Sequence, residues 1–100
     1  MYLDQYSNEI NNLCLQNKVK SLFVFGSVLT NRFTEKSDID LVVDIDSNDH
    51  FDYAESYFNL KFALQDLFRR TIDLLENKAI NNPYIRQNID RTKSLVYARG

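Results

Sequence analysis

Val19-Lys20-Ser21-Leu22-Phe23-Val24-Phe25-Gly26-Ser27, then ten residues, then Asp38-Ile39-Asp40-Leu41-Val42-Val43-Asp44-Ile45: this stretch decides how the rest of the chain is arranged. The first run is rich in β-formers and stops at Gly26. The second sets Ile39, Leu41, Val43 and Ile45 against Asp38, Asp40, Val42 and Asp44, the period of a strand with one buried face. Two strands are therefore expected, Val19 to Phe25 and Asp38 to Ile45, each with an apolar face that needs cover.

Working outward, the flanking segments supply that cover. Leu3, Tyr6, Ile10, Leu13 and Cys14 fall at helical spacing, which predicts a helix over about Leu3–Leu15. Between the strands, Ser27 to Phe33 fits a short helix, and Thr34-Glu35-Lys36-Ser37 a polar turn. Ser47-Asn48-Asp49 offers caps for a long helix, about His50–Phe68, and Arg70 to Leu75 reads as a third strand. Pro83 suits the first turn of a last helix to about Thr92, and Ser94 to Tyr97 fits a short edge strand or an extended tail. The order αβαβαβα predicts an α+β fold, a small mixed sheet with helices packed mainly on one face, and one domain over 1–100.

Composition narrows the function. In 100 residues, 12 basic side chains face 14 acidic ones for a net charge of −2, with no basic run, which argues against direct binding of nucleic acid. The single Cys14 forms no internal disulfide and reads as a small core residue, and no Cys/His cluster has zinc spacing. No apolar run is long enough to span a bilayer, and the N-terminus lacks the basic start and apolar stretch of a signal peptide, so no membrane association and a cytoplasmic location are expected.

The chemistry is concentrated in three carboxylates and a turn. Residues two apart on a strand point to one face about 6.6 Å apart, so Asp38 and Asp40 can converge on one cation or a close pair. Gly26 ends a strand where the backbone turns tightly, so Ser27 can present its hydroxyl and N–H to an anion at the start of the short helix. Asp73 interrupts an apolar strand between Ile72 and Leu74, costly in a central strand unless it meets a partner or a metal. Otherwise it is a surface acid, or one paired with Arg69 or Arg70. Asp44 and Asp46 share the parity of Asp38 and Asp40 but lie too far along the strand to share a metal, and read as solvated. Three carboxylates beside a serine-bearing turn meet the needs of two-metal nucleotidyl transfer.

Phe25-Gly26-Ser27, ten residues, Asp38-Ile39-Asp40 and the later Asp73 together resemble the signature of the polymerase β-like nucleotidyltransferase superfamily. The whole chain is similar to its minimal prokaryotic members, the MNT or MntA-like antitoxins. The resemblance implies the polymerase β-like palm fold and transfer of AMP from ATP, with two Mg²⁺ ions, to a tyrosine of a partner HEPN-domain ribonuclease toxin. It implies that Gly26 and Ser27 hold the β and γ phosphates. Asp38 and Asp40 would bind both metals, and Asp73 would bind the catalytic metal and help deprotonate the incoming hydroxyl. Relatives often follow Gly-Ser with a small residue, Arg and Gly. This chain has Val28-Leu29-Thr30-Asn31, with Thr30 where the arginine usually stands, so Arg32 would have to reach back a turn to the phosphates.

The long helix carries two stripes. Tyr53, Tyr57, Leu60, Leu64 and Leu67 suffice to cover a sheet; Phe51, Ala54, Phe58 and Phe62 form a second stripe. That second stripe is either core beneath the first helix or a surface for a partner or a second copy. His50 reads as a capping or surface residue, and Arg86, Arg91, Lys93 and Arg99 as a solvated face or as cations near the mouth of the site. A second function stays open on these residues, a non-catalytic antitoxin that neutralises its toxin by complex formation through Phe58 and Phe62. A third is transfer to a small molecule of the aminoglycoside kind, whose enzymes usually carry an acceptor domain for which this length leaves no room.

Overall fold

Alternation in the two central runs produces the strands, and their apolar faces collect the helices. The structure, a computed structural model, describes residues 1–99. In chain order it has α1 (Ser7–Gln16), β1 (Val19–Phe25), β2 (Ile39–Ile45), α2 (His50–Phe68), β3 (Ile72–Glu76), α3 (Pro83–Thr92) and β4 (Ser94–Ala98). The four strands form one sheet in the order β3-β2-β1-β4. β1 runs antiparallel to β2 and β4, while β2 and β3 are parallel. A parallel pair needs a long crossover, and α2 supplies it.

Leu22 and Val24 of β1, Ile39, Leu41, Val43 and Ile45 of β2, and Ile72 and Leu74 of β3 turn to one face, where they bury against Ile10 and Cys14 of α1 and Leu60, Leu64 and Phe68 of α2. Burial pushes the Cys14 thiol up to about 12, so it stays a neutral packing group. The Tyr57 hydroxyl donates to the Leu74 carbonyl at 2.5 Å, tying α2 to β3. Asp49 caps α2 by accepting from the Asp52 N–H at 2.9 Å, and Asp52 in turn accepts from Lys18 Nζ at 2.6 Å. The helix stops at Arg69, whose φ of 55° is left-handed.

The opposite sheet face carries Asp40, Val42, Phe23 and Phe25. α3 buries Ile89 outside the main core, and the Lys93 ammonium just beyond its end lies 4.3 Å over the Phe23 ring. The Asn82 side chain caps α3, accepting from the Tyr84 and Ile85 N–H groups at 2.9 and 3.2 Å.

Several boundaries differ from the sequence reading. The first helix is split: a 3-10 helix covers Tyr2–Tyr6 before α1 begins at Ser7. Its aromatic rings explain the break, since Tyr2 packs on Phe33 and Phe68, and Tyr6 on Phe68 edge-on. The helix expected over Ser27–Phe33 is a 3-10 helix over Gly26–Leu29 only, because Thr30 ends it by donating both its N–H and its hydroxyl to the Ser27 carbonyl. The third strand begins at Ile72, and Ser94–Ala98 is a true edge strand. β3 is the other edge, so Asp73 is no central-strand acid; it is exposed, and the sheet bears no desolvation cost for it.

Candidate active site

Register brings the predicted carboxylates together. Asp40 is the partner of Phe25 on β1 and of Asp73 on β3, and Asp38 sits two residues earlier, just ahead of β2. Asp40 is half-buried, whereas Asp38 and Asp73 are exposed. Burial, then the charges of Asp73 and Asp38, raise the Asp40 carboxyl above its ordinary value. Among the described residues no three His, Cys, Asp or Glu side chains are gathered tightly enough to ligate one ion as they stand. The donor set is nevertheless all carboxylate oxygen, at the start of the neighbouring strands β2 and β3, the hard-ligand chemistry that suits Mg²⁺.

The loop leading into Asp38 is pinned. Arg70 donates from Nη1 to the carbonyls of Thr34 and Ser37 at 3.0 and 2.9 Å, and its guanidinium lies 4.8 Å over the Tyr2 ring and 4.5 Å over Phe33. Arg70 is therefore committed to shaping this loop and does not pair with Asp73. Gly26 follows the residue opposite Asp40 and has φ of +81°. A Cβ there would run into Asp40 Oδ2, with Cγ only 3.3 Å away. Glycine is required at this position twice over, by its backbone and by the carboxylate against it.

Beside that contact lies a cleft of about 830 Å³ between the Gly26–Leu29 turn and α3, lined by Phe25, Gly26, Ser27, Leu29, Thr30 and Arg32 on one side and Asn88 and Thr92 on the other. Ser27 and Arg32, predicted from sequence as phosphate contacts, thus share one hollow with Gly26. Arg32 has no carboxylate partner among the described residues. Its N–H donates to the Thr30 hydroxyl at 3.2 Å, so Thr30 shapes the turn on which the arginine sits. The turn has only four residues, and what it offers an anion is a free Ser27 hydroxyl and nearby N–H groups rather than a helix dipole.

None of the C-terminal cations Arg86, Arg91, Lys93 and Arg99 lines that cleft. Arg86 donates to Asn77 Oδ1 and to the Asn77 carbonyl, Lys93 pairs with Asp90 at 3.0 Å, and Arg99 pairs with Asp46 at 2.8 Å. Asp44 corrects the sequence reading in another way: it is not solvated. Its side chain is 16% exposed, Oδ1 has no hydrogen-bond partner, and the nearest cation is Lys78 Nζ at 3.8 Å. Asp46 is exposed, as expected. A second hollow of about 530 Å³, with His50, Tyr53 and Glu76 in its wall, lies at the far end of β2 and shares no residue with the first.

Asn88, Thr92 and Leu29 are the cleft residues that the sequence reading missed. Their only signal is the i, i+4 spacing of Asn88 and Thr92 on the predicted last helix. Of the second α2 stripe, Phe51 is 89% exposed, and Phe58 and Phe62 stack on each other at 6.0 Å, about half exposed. They are not core beneath α1. No helix among the described residues is long and apolar enough to cross a membrane.

The chain is 38% identical over 80 residues to a Methanocaldococcus jannaschii protein described as a "putative protein adenylyltransferase", covering 80% of this chain and 77% of that one. A solved "putative minimal nucleotidyltransferase" superposes with a TM-score of 0.74 at 25% identity, covering 93% of this chain and 91% of that one. The same fold recurs, at 18% identity and a TM-score of 0.64, in a complex of a tri-AMPylated Shewanella oneidensis HEPN toxin with MNT antitoxin, over 95% of this chain and 71% of that one. A sequence model for "Polymerase beta, Nucleotidyltransferase" matches residues 8–100. By that match over residues 8–100, the chain belongs to the polymerase β nucleotidyltransferase family.

Proposed function

We propose that this single domain, residues 1–100, transfers AMP from ATP to a tyrosine of a partner HEPN-domain ribonuclease toxin and so acts as its antitoxin. The observation that carries the reading is the Gly26–Asp40 contact, which joins the serine turn and the carboxylate row into one site. The protein adenylyltransferase relative and the toxin–antitoxin complex of the same fold support the acceptor class.

Asp38, Asp40 and Asp73 would hold two Mg²⁺ ions, Asp38 closing on them from its exposed position. When bound, these ions neutralise triphosphate charge and favour an ionised acceptor oxygen. Gly26 lets the backbone approach the β and γ phosphates, the Ser27 hydroxyl donates to them, and Arg32 adds a cation at the same cleft. Asp73, on the exposed edge strand, faces outward where an acceptor hydroxyl arrives and takes its proton. The tyrosine oxygen then bonds to the α-phosphorus as the bond to the bridging oxygen breaks, and pyrophosphate leaves.

The partner docks on the Phe51, Phe58 and Phe62 face of α2, an apolar surface rimmed by Glu55, Asn59 and Asp66. The exposure of that face also favours a second reading, neutralisation by complex formation alone. ATP labelled at the α-phosphate or at the γ-phosphate separates the two. Transfer requires label on the partner from the α position only, and occlusion predicts neutralisation with label from neither.

A further inference from the structure

We propose that Arg70 is a positioning residue for the metal-binding carboxylates: it ties the backbone of Asp38 to the start of β3 and so sets how tightly Mg²⁺ is held. The inference rests on the nucleotide-transfer reading and adds the device that organises the site before the metal arrives.

The three carboxylates are not held equally. Asp40 lies within the ladders that join β2 to β1 and to β3, and Asp73 lies within the ladder between β3 and β2. Asp38 belongs to no strand and is exposed. Its backbone is tied through its two chain neighbours instead. On one side the Ile39 N–H donates to the Thr71 carbonyl at 3.1 Å. On the other the Ser37 carbonyl accepts from Arg70 Nη1 at 2.9 Å. Thr71 and Arg70 stand two and three residues ahead of Asp73, so holding Asp38 to this dipeptide holds it to Asp73.

The Arg70 side of that clamp has no substitute. Among the described residues the other hydrogen bonds of Thr34 to Ser37 stay within their own turn: Ser37 N–H to the Thr34 carbonyl, Thr34 N–H to Ser37 Oγ, and Lys36 N–H to Thr34 Oγ1. A single nitrogen of Arg70 reaches both ends of the turn, the Thr34 and Ser37 carbonyls, while the Tyr2 and Phe33 rings hold the guanidinium plane. Arg70 forms no ion pair among the described residues, so its charge is committed to carbonyls and rings and does not neutralise a metal ligand. Without it, Asp38 would stand at the end of a loop tied on one side only, and the cost of ordering it would fall on metal binding.

The test follows binding of a fluorescent α,β-methylene ATP, which cannot transfer AMP, to the full chain as Mg²⁺ is raised. Two quantities are read, the Mg²⁺ midpoint and the affinity at saturating Mg²⁺. Arg70→Ala is expected to raise the midpoint about tenfold, the lower end of what losing a supporting group of a metal ligand costs, and to bind within about threefold of wild type once Mg²⁺ saturates. Arg69→Ala removes the same charge from the exposed neighbouring residue and is expected to leave the midpoint within about twofold. In Asp38→Asn, whose own midpoint is raised, adding Arg70→Ala is expected to move it by less than about threefold, because Arg70 acts through Asp38. An unchanged midpoint in Arg70→Ala, or a further rise of about tenfold on top of Asp38→Asn, overturns the proposal and leaves nucleotide transfer standing. If Arg70→Ala is unfolded at the assay temperature, Arg70→Met decides by the same criteria, since it keeps an apolar stem against Tyr2 and Phe33 and lacks the donors. A wild type that binds the analogue at no Mg²⁺ concentration overturns the transfer reading itself.

Discussion

At the scale of single residues, Gly26 is the position where backbone and chemistry meet. Its φ of +81° and the Asp40 carboxylate against its Cα leave no room for a side chain. Gly26→Ala is expected to lower AMP transfer by about 10²-fold or more, as losing one positioned donor does elsewhere, while far-UV circular dichroism stays native. Asp40 shows the opposite economy, a group that serves function at a cost to stability. Its carboxyl is raised above 3.8 by burial, Asp73 and Asp38, so the fold holds its proton more tightly than the unfolded chain does. The contribution of that proton is present at low pH and is lost as pH rises from about 3.8 through the raised value. At neutral pH the cost is in full force, so Asp40→Asn is expected to raise the melting temperature in the absence of Mg²⁺ and to abolish the further rise that Mg²⁺ gives the wild type. A lower melting temperature for Asp40→Asn in metal-free buffer would contradict this.

At the scale of elements, the site is assembled by three devices: the Thr30-closed turn, the Arg70-pinned loop and the Asn82-capped α3. Removing the cap with Asn82→Ala is expected to cost about 1 kcal/mol in urea unfolding. Tyr57→Phe, which removes the bond to the Leu74 carbonyl, is expected to cost about 0.5–1.5 kcal/mol without changing ATP affinity.

How much of this was legible in the sequence follows from the range of the interactions. β1, β2, α2 with its Asp49 cap, and the start of α3 at Pro83 were readable because periodicity and capping are local. The Gly26-Ser27 to Asp38-Ile39-Asp40 spacing was readable because both strand ends carry their chemistry in neighbouring residues. Long-range contacts decided the rest. The edge position of β3, which frees Asp73, depends on strand order. The 3-10 helix at Tyr2–Tyr6 depends on rings from Phe33 and Phe68. The partial burial of Asp44 depends on the chain around β3, and the place of α3 beside the Gly26 turn depends on how β4 pairs with β1. None of these leaves a mark within one segment.

At the scale of the whole molecule, the division of labour is spatial. One sheet face is filled by α1 and α2, and the other carries Asp40, Asp73 and the cleft walled by α3. The solvent side of α2 leaves Phe51, Phe58 and Phe62 exposed. Phe58→Asp/Phe62→Asp is expected to leave the melting temperature within a few degrees of wild type and ATP binding unchanged, while co-purification with the partner toxin is lost. Retained co-purification would remove α2 as the docking face.

The central claim is that the carboxylate row performs transfer onto a partner protein. It is tested most directly by intact-mass spectrometry of the proposed partner, a HEPN-domain toxin, after incubation with ATP, Mg²⁺ and this protein. The account predicts a mass gain of one or more AMP units with wild type and none with Asp38→Ala/Asp40→Ala. An unmodified toxin with wild type, or equal modification by the double variant, would contradict it.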